Sequence, residues 1–237
     1  MVRKPKEYFC EKCLAGNETF LGHLDKADLS YINSQKTSGL YKKGEEIFLE
    51  GHASGGVFCL KEGKVKVYRQ GSDGREHIIR IALPGEFIGL RALISGNNHT
   101  VSAAAFEDSS ICFINKSDFF QLMIKYPDFT RNLIISLSRI LEEAEVKMTS
   151  LAQKPVKERL AETLLFLSRS FRLDAGNPNR SYLSLTRVDL ASIIGTVPET
   201  VIRLLSEFRD EGLVGLKGRR IYLLDPGRLK KIANLPS

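Results

Sequence analysis

The chain has 237 residues, 43% hydrophobic and 27% charged, enough for a sizeable core in one large domain or two ordinary ones. No apolar run reaches the ~18 residues of a membrane span, and the opening MVRKPKEYFCEK is polar and basic, unlike a secretory signal, so a cytoplasmic protein without a membrane partner is expected. The net charge of +7 is uneven: from Lys154 onward there are 15 Lys+Arg against 9 Asp+Glu, and before it 20 against 19.

Cys10 and Cys13 come first, at CxxC spacing, with Cys59 and Cys112 further on. In a reducing compartment four cysteines argue for thiol, metal or packing roles, not a disulfide framework. Short runs of strand character follow: Glu46–Leu49, Val57–Leu60, Val65–Tyr68, Ile78–Ala82 and Ser110–Ile114. Gly51, Gly55-Gly56, Gly63, Gly71, Asp73-Gly74 and Pro84-Gly85 punctuate them, which predicts a jelly-roll or similar β-barrel. A long helix is predicted from about Asp128 to Gln153. In it Leu133, Leu137, Ile140, Ala144, Met148 and Leu151 recur at three- and four-residue steps, close to a coiled-coil seam. A homodimer through this seam is the expectation; the alternative is a helix packed on its own barrel. Pro155 breaks the helix, Val156 to Phe171 forms another, and Asp174–Asn179 reads as a loop.

The richest stretch runs from Leu185 to Tyr222. Thr186 N-caps a short helix, Arg187–Ile194, and Asp189 suits its positive end. Gly195 supplies a sharp turn. Pro198 opens a second helix, where its missing N–H costs nothing. Val201, Leu204, Leu205 and Phe208 make the buried stripe of that helix, while Glu199, Thr200 and Arg203 fall on another face near its N-terminal end. Val214-Gly215-Leu216 and Arg220–Leu224 read as two strands joined at a basic tip, Lys217-Gly218-Arg219. This is the layout of a winged helix-turn-helix, with base edges read from the second helix and phosphate touched by the wing. The local excess of positive charge fits double-stranded DNA as partner. An enzyme is not expected: there is no P-loop, GxSxG, dinucleotide fingerprint or paired-carboxylate constellation. A protein-interaction module without DNA reading is the remaining alternative.

Several short motifs, read together, resemble the CRP/FNR family of bacterial transcription regulators. They are Lys43-Gly44-Glu45, Lys61–Val65, Pro84–Gly89, Val156–Ala161, Leu185-Thr186-Arg187 and Pro198–Val201. The resemblance covers about Leu21 to Ala233. It implies an α+β chain with an N-terminal jelly-roll, cyclic-nucleotide-binding-like β-barrel, a long dimerisation helix and a C-terminal winged helix-turn-helix. The expected divisions are an N-terminal extension 1–20, an effector-sensing barrel 21–126, a dimerisation helix 127–154 and a DNA-binding domain 155–237. It also implies homodimeric binding to a near-palindromic promoter site and contact with RNA polymerase. The DNA-binding residues it points to are Thr186, Arg187, Pro198, Glu199, Thr200, Arg203, Lys217 and Arg219. In the family a Glu and an Arg four positions later read bases, here Glu199 and Arg203; Glu accepts from cytosine and Arg donates twice to guanine. A mutual i,i+4 pair between them is the alternative. Pro198 and Ile202 depart from the neighbouring residues of the two main branches, so the half-site shares a core with both and copies neither.

The pocket expected from the resemblance comprises Gly89, Leu90, Arg91, His99 and Thr100. The family's ribose-holding Glu is here Leu90, and its phosphate-holding Arg-Ser pair is His99-Thr100. A neutral imidazole is a poor substitute for a bidentate guanidinium, which argues against cyclic AMP and for an unidentified small-molecule or redox effector. Cys10, Cys13 and Cys112 resemble three of four iron–sulfur ligands of the FNR branch. Thr19 stands near the place of the missing one, so Cys59 would have to supply the fourth bond. An oxygen- or nitric-oxide-sensing cluster, zinc at Cys10, Cys13 and His23, and plain packed thiols all remain open.

Overall fold

The structure, a computed structural model, describes residues 30–31, 33–34, 36–171, 173 and 182–235. Cys10, Cys13, Thr19, His23 and the loop expected at 174–179 lie outside these residues. The chain divides into two compact units, one of residues up to Gln70 with Ile78–Glu142, the other of Gly71–His77 with Glu143–Ser237.

In the first unit one sheet contains β1 (Thr37–Tyr41), β3 (Gly56–Glu62), β6 (Phe87–Ile88) and β8 (Ser109–Asn115), in the order β1-β8-β3-β6. The second contains β2 (Glu46–Phe48), β4 (Val65–Gln70), β5 (Glu76–Ala82) and β7 (Ser102–Ala105), in the order β2-β7-β4-β5. The result is jelly-roll-like, but the sheets do not close into the expected barrel. At three and two residues, β2 and β6 are too short to carry a continuous ladder around the rims.

Period-two alternation gives the first sheet two working faces. Leu60, Ile88 and Ile111 point inward to Val65, Val67, Ala82 and Ala103 of the second sheet. Val57, Cys59, Phe87, Cys112 and Ile114 point outward and are covered by three helices, α1 (Leu90–Ser95), α2 (Lys116–Lys125) and α3 (Pro127–Gln153). Asn115 caps α2, its side-chain oxygen accepting from the Asp118 N–H at 3.0 Å. Phe87, Phe119 and Phe129 meet edge to face at 5.6–6.2 Å between ring centres and pin the start of α3 to this sheet.

That anchoring corrects the sequence reading of α3. Leu133 is buried, and Leu137 packs against the same cluster, so both serve the chain's own core and not a seam with a partner. The exposed apolar stripe is Ile134 (60% exposed), Leu141 (60%) and Met148 (66%), spaced by whole heptads. Of the residues read as the seam, Ala144 and Met148 are exposed and Ile140 and Leu151 half-buried. A helix with apolar residues on two faces does not say from periodicity alone which face its own sheet takes.

The second unit contains α4 (Val156–Ser170), β9 (Leu183–Ser184), α5 (Arg187–Ile194), α6 (Pro198–Asp210), β10 (Val214–Lys217), β11 (Arg220–Leu223) and α7 (Pro226–Ile232). Leu160, Leu164, Leu190, Val201, Phe208 and Ile221 are fully buried there. The hairpin β10–β11 gains β9 as a third strand, pairing Arg220 with Ser184 and Ile221 with Leu183. The sequence offers no sign of β9, because two residues are too few to show a period.

At the start of α5 both halves of a capping box form. Thr186 Oγ1 accepts from the Asp189 N–H at 3.0 Å, and the Asp189 carboxylate accepts from the Thr186 N–H at 3.1 Å. Thr186→Ala is expected to cost about 1 kcal/mol, read as a lower urea midpoint at unchanged slope. An unchanged midpoint would mean that the box adds nothing. Gly195 ends α5 at φ 68°, a left-handed conformation that strains other residues, and a Cβ there would stand 3.0 Å from Leu151.

Candidate nucleic-acid interface and ligand pocket

The turn between α5 and α6 is held from outside by one side chain. The Arg159 guanidinium on α4 donates to the Ile194 carbonyl at 3.0 Å and to Gly195 O at 3.3 Å. It also donates to Lys154 O at 2.9 Å and Leu151 O at 3.3 Å. These carbonyls end α3 and α5, where helices lack internal donors. The motif Val156–Ala161 contains Arg159, but nothing local in the sequence identifies it as a cap for a turn some 35 residues away.

α6 begins as expected, with Val197 as N-cap and Pro198 in the first turn. Val201, Leu204, Leu205 and Phe208 are buried, so the opposite face is free for a ligand. Glu199, Ile202 and Arg203 are exposed on it, and Thr200 is half-buried. Arg203 donates to Glu207 one turn on, and does not form the Glu199–Arg203 pair considered from spacing. Glu207 also faces Lys157 at 3.6 Å, and Lys157 reaches Glu211 at 3.1 Å. With Arg203 65% exposed, such a pair contributes little, and Arg203 can leave it for a base edge at small cost. At the start of α5, burial draws the Arg187 guanidinium below its ordinary value, and Thr186 is occupied by its cap.

In the wing, Lys217 pairs with Arg220 in register, so the turn itself is Gly218-Arg219 and Lys217 belongs to β10. Gly218 has φ 59°, which suits the first position of a two-residue hairpin turn. Lys217, Arg219 and Arg220 are exposed. The Arg220 guanidinium lies 4.4 Å above the Tyr182 ring, and Tyr182 is 5.6 Å from Tyr222. This aromatic backing of a basic strand depends on β9, which is too short to show a period in the sequence.

The pocket residues separate. Gly89 holds φ 84° at the N-cap of α1, and a Cβ on it would come within 3.2 Å of His99. Leu90, one residue on, is buried among the outward-facing helices, so it does not line the space between the sheets. His99 is buried and stacked on Phe48, ring centres 3.9 Å apart and 15° from parallel. Its backbone is fixed on both sides, by His99 N–H to His52 O at 2.9 Å and Gly51 N–H to His99 O at 2.7 Å. Burial first, and then nearby His52, hold the His99 imidazole below the usual histidine range, so it is neutral at pH 7. Arg91 is exposed and donates to the Thr100 hydroxyl. Where the family's phosphate-gripping pair would stand, there is a neutral ring stacked on phenylalanine and a threonine engaged with Arg91. Nothing local in the sequence marks Phe48 as the partner of His99.

Cys59 and Cys112 are direct register partners on β3 and β8, on the outward face of the sheet. Two thiolates are half of what an iron–sulfur cluster takes. Among the described residues no group of three or more His, Cys, Asp or Glu side chains is placed to hold a metal ion. Cys10 and Cys13, the other expected ligands, lie outside those residues.

Residues 40–126 match the cyclic nucleotide-binding domain, and residues 158–232 the Crp-like helix-turn-helix domain. The transcriptional activator Anr of Pseudomonas protegens is 31% identical over 192 residues, covering 81% of this chain and 78% of Anr. The fumarate and nitrate reduction regulatory protein of Escherichia coli is 29% identical, covering 81% and 76%. Among solved structures, FixK2 from Bradyrhizobium japonicum superposes with a TM-score of 0.75 at 31% identity, over 85% of this chain and 99% of FixK2. With a nucleotide-binding-like sandwich, a helix-turn-helix and these relatives in common, the chain belongs to the CRP/FNR family of transcription regulators.

Proposed function

We propose that the chain is a homodimeric regulator that reads a near-palindromic promoter site, under control of its sandwich domain by a signal other than cyclic AMP. The observation that carries this is α6: a helix buried along one side and open on the other, with Glu199 and Arg203 displayed one turn apart near its N-terminal end. Inserted in a major groove, Arg203 exchanges Glu207 for the O6 and N7 of a guanine, and Glu199 accepts from a cytosine amino group. Thr200 and Pro198 sit close to the same groove edge, while Thr186 and Arg187 at the start of α5 face the flanking backbone. Lys217 and Arg219 neutralise phosphates and set the register. The exposed stripe Ile134, Leu141 and Met148 supports pairing with a second copy, which supplies the second reading head. Anr is named a transcriptional activator, and by that likeness the promoter-bound dimer contacts RNA polymerase. Such a regulator is not an enzyme, and its place of work is the cytoplasm.

Selection of duplexes from a random pool by the full-length protein tests this reading. The expected product is a two-fold symmetric site with half-sites about 34 Å apart. Enrichment of an unsymmetric site, or of none, would overturn it. Lys217→Ala with Arg219→Ala should weaken binding equally on the selected site and on random duplex, and should lower the salt slope by about 1 per lost phosphate contact. An unchanged slope would remove the wing from the backbone. Cyclic AMP in large excess should leave both the selected site and its affinity unchanged, because His99, Phe48, Thr100 and Leu90 provide no grip for its phosphate or ribose. A calorimetric binding signal would reverse that conclusion.

A further inference from the structure

We propose that Cys59 and Cys112 are a reversible redox pair, which hydrogen peroxide or a low-molecular-weight disulfide converts to a cross-strand disulfide. The two residues are 53 positions apart in the chain, yet they oppose each other directly in the β3–β8 ladder, with Phe58 opposite Phe113 and Leu60 opposite Ile111 on either side. Direct antiparallel partners project their side chains from the same face, and their Cα atoms stand about 4.5–5.5 Å apart. That spacing falls inside the 4.4–6.8 Å window of disulfides. Both side chains belong to the same cluster, with Phe87 and Ile114.

Both residues are buried, Cys59 8% exposed and Cys112 7%, with neighbouring Val57 fully buried. Cys112 also has a hydroxyl beside it, Ser38 Oγ at 3.4 Å on β1, which is placed to donate to a thiolate. Ser38, Cys112, Cys59 and Phe87 thus form one row across the sheet.

The chemistry balances without any further group. The Cys112 thiolate attacks one peroxide oxygen, the O–O bond breaks, and the departing hydroxide leaves as water with the thiol's proton. The resulting sulfenic acid is attacked at sulfur by Cys59, which forms the S–S bond and expels a second water. With a low-molecular-weight disulfide, Cys112 first forms a mixed disulfide and Cys59 then displaces the second small thiol. Two protein thiols are oxidised in each route, and one oxidant molecule is reduced. The bond must draw the two Cβ atoms to about 3.5–4.5 Å, and it does so directly beneath Phe119, Phe129 and Leu133 of α2 and α3.

The test uses the full-length chain carrying Cys10→Ser and Cys13→Ser, so that Cys59 and Cys112 are its only thiols. Reduced protein is treated with hydrogen peroxide or glutathione disulfide, alkylated in denaturant and mapped by peptide mass spectrometry. The expected result is loss of both thiols, one linked peptide pair joining Cys59 to Cys112 within a chain, and recovery of both thiols with dithiothreitol. Full alkylation after oxidation, a sulfinic acid without a link, or links only between chains would each overturn the proposal. The wild type is mapped in parallel, and Cys59 or Cys112 joined preferentially to Cys10 or Cys13 would overturn it as well. Cys59→Ser should abolish the link and leave Cys112 as a glutathione adduct; if that variant does not fold, the map of the two-thiol chain still decides. The outcome is independent of whether the chain reads DNA.

Discussion

Replacing Arg203 by alanine is expected to remove about 1–3 kcal/mol of discrimination between the selected site and the same site with the contacted guanine changed. That is roughly a 5- to 150-fold loss of preference. Binding to random duplex should fall far less, since the exposed pair with Glu207 contributes little to the fold of α6 and Arg203 buries nothing there. Fluorescence anisotropy on the two duplexes, at one fixed salt concentration, measures it. An equal loss on both would make Arg203 a phosphate contact. Glu207→Gln serves as the companion: it frees Arg203 from its present partner and should tighten specific binding modestly.

The second large effect concerns α3. Leu141→Glu puts a charge on the exposed stripe and leaves the core untouched, because Leu141 points away from the sheet. The expected result in sedimentation is a folded monomer. DNA affinity should fall about 10²–10⁴-fold, since the second head no longer binds as part of the same particle. Leu137→Glu is expected to behave differently. It buries a carboxylate beside the cluster of Phe119, Phe129 and Leu133, so its signature is a loss of thermal stability in the sandwich unit. A Leu141→Glu chain that stays dimeric would refute the stripe as interface. A stable, monomeric Leu137→Glu chain would return the seam to the face expected from the sequence.

What the sequence revealed follows the range of the chemistry involved. The N-cap Thr186 with Asp189 in the first turn, the left-handed turn at Gly195, Pro198 opening α6 and the glycine of the wing turn are all set within four residues, and each is where the sequence places it. Features that depend on distant partners were not legible. Leu90 follows the PGEFIG motif, yet whether it faces a ligand or the helices is decided by α2 and α3. His99 has no local hint of its stack on Phe48, about 50 residues earlier. Cys59 and Cys112 become neighbours only through the register of β3 with β8. Leu133 and Leu137 of α3 turn to the core for the same reason, since Phe87 on another strand chooses which apolar face packs inward.

Arg159 sets a limit on how small a working reading head can be made. A fragment cut from Leu185 to Leu224 would contain the whole helix-turn-helix and hairpin, but the carbonyls of Ile194 and Gly195 would lose the guanidinium that now caps them. Grafted onto a foreign scaffold, the turn between its two helices would lose a tie that their own packing does not replace. The excision must begin upstream of Leu151, so that Arg159 retains its carbonyls on both sides and Lys154 its hold on Glu162 and on the Ala233 carbonyl. The portable unit is therefore more than twice as long as the motif that makes it recognisable.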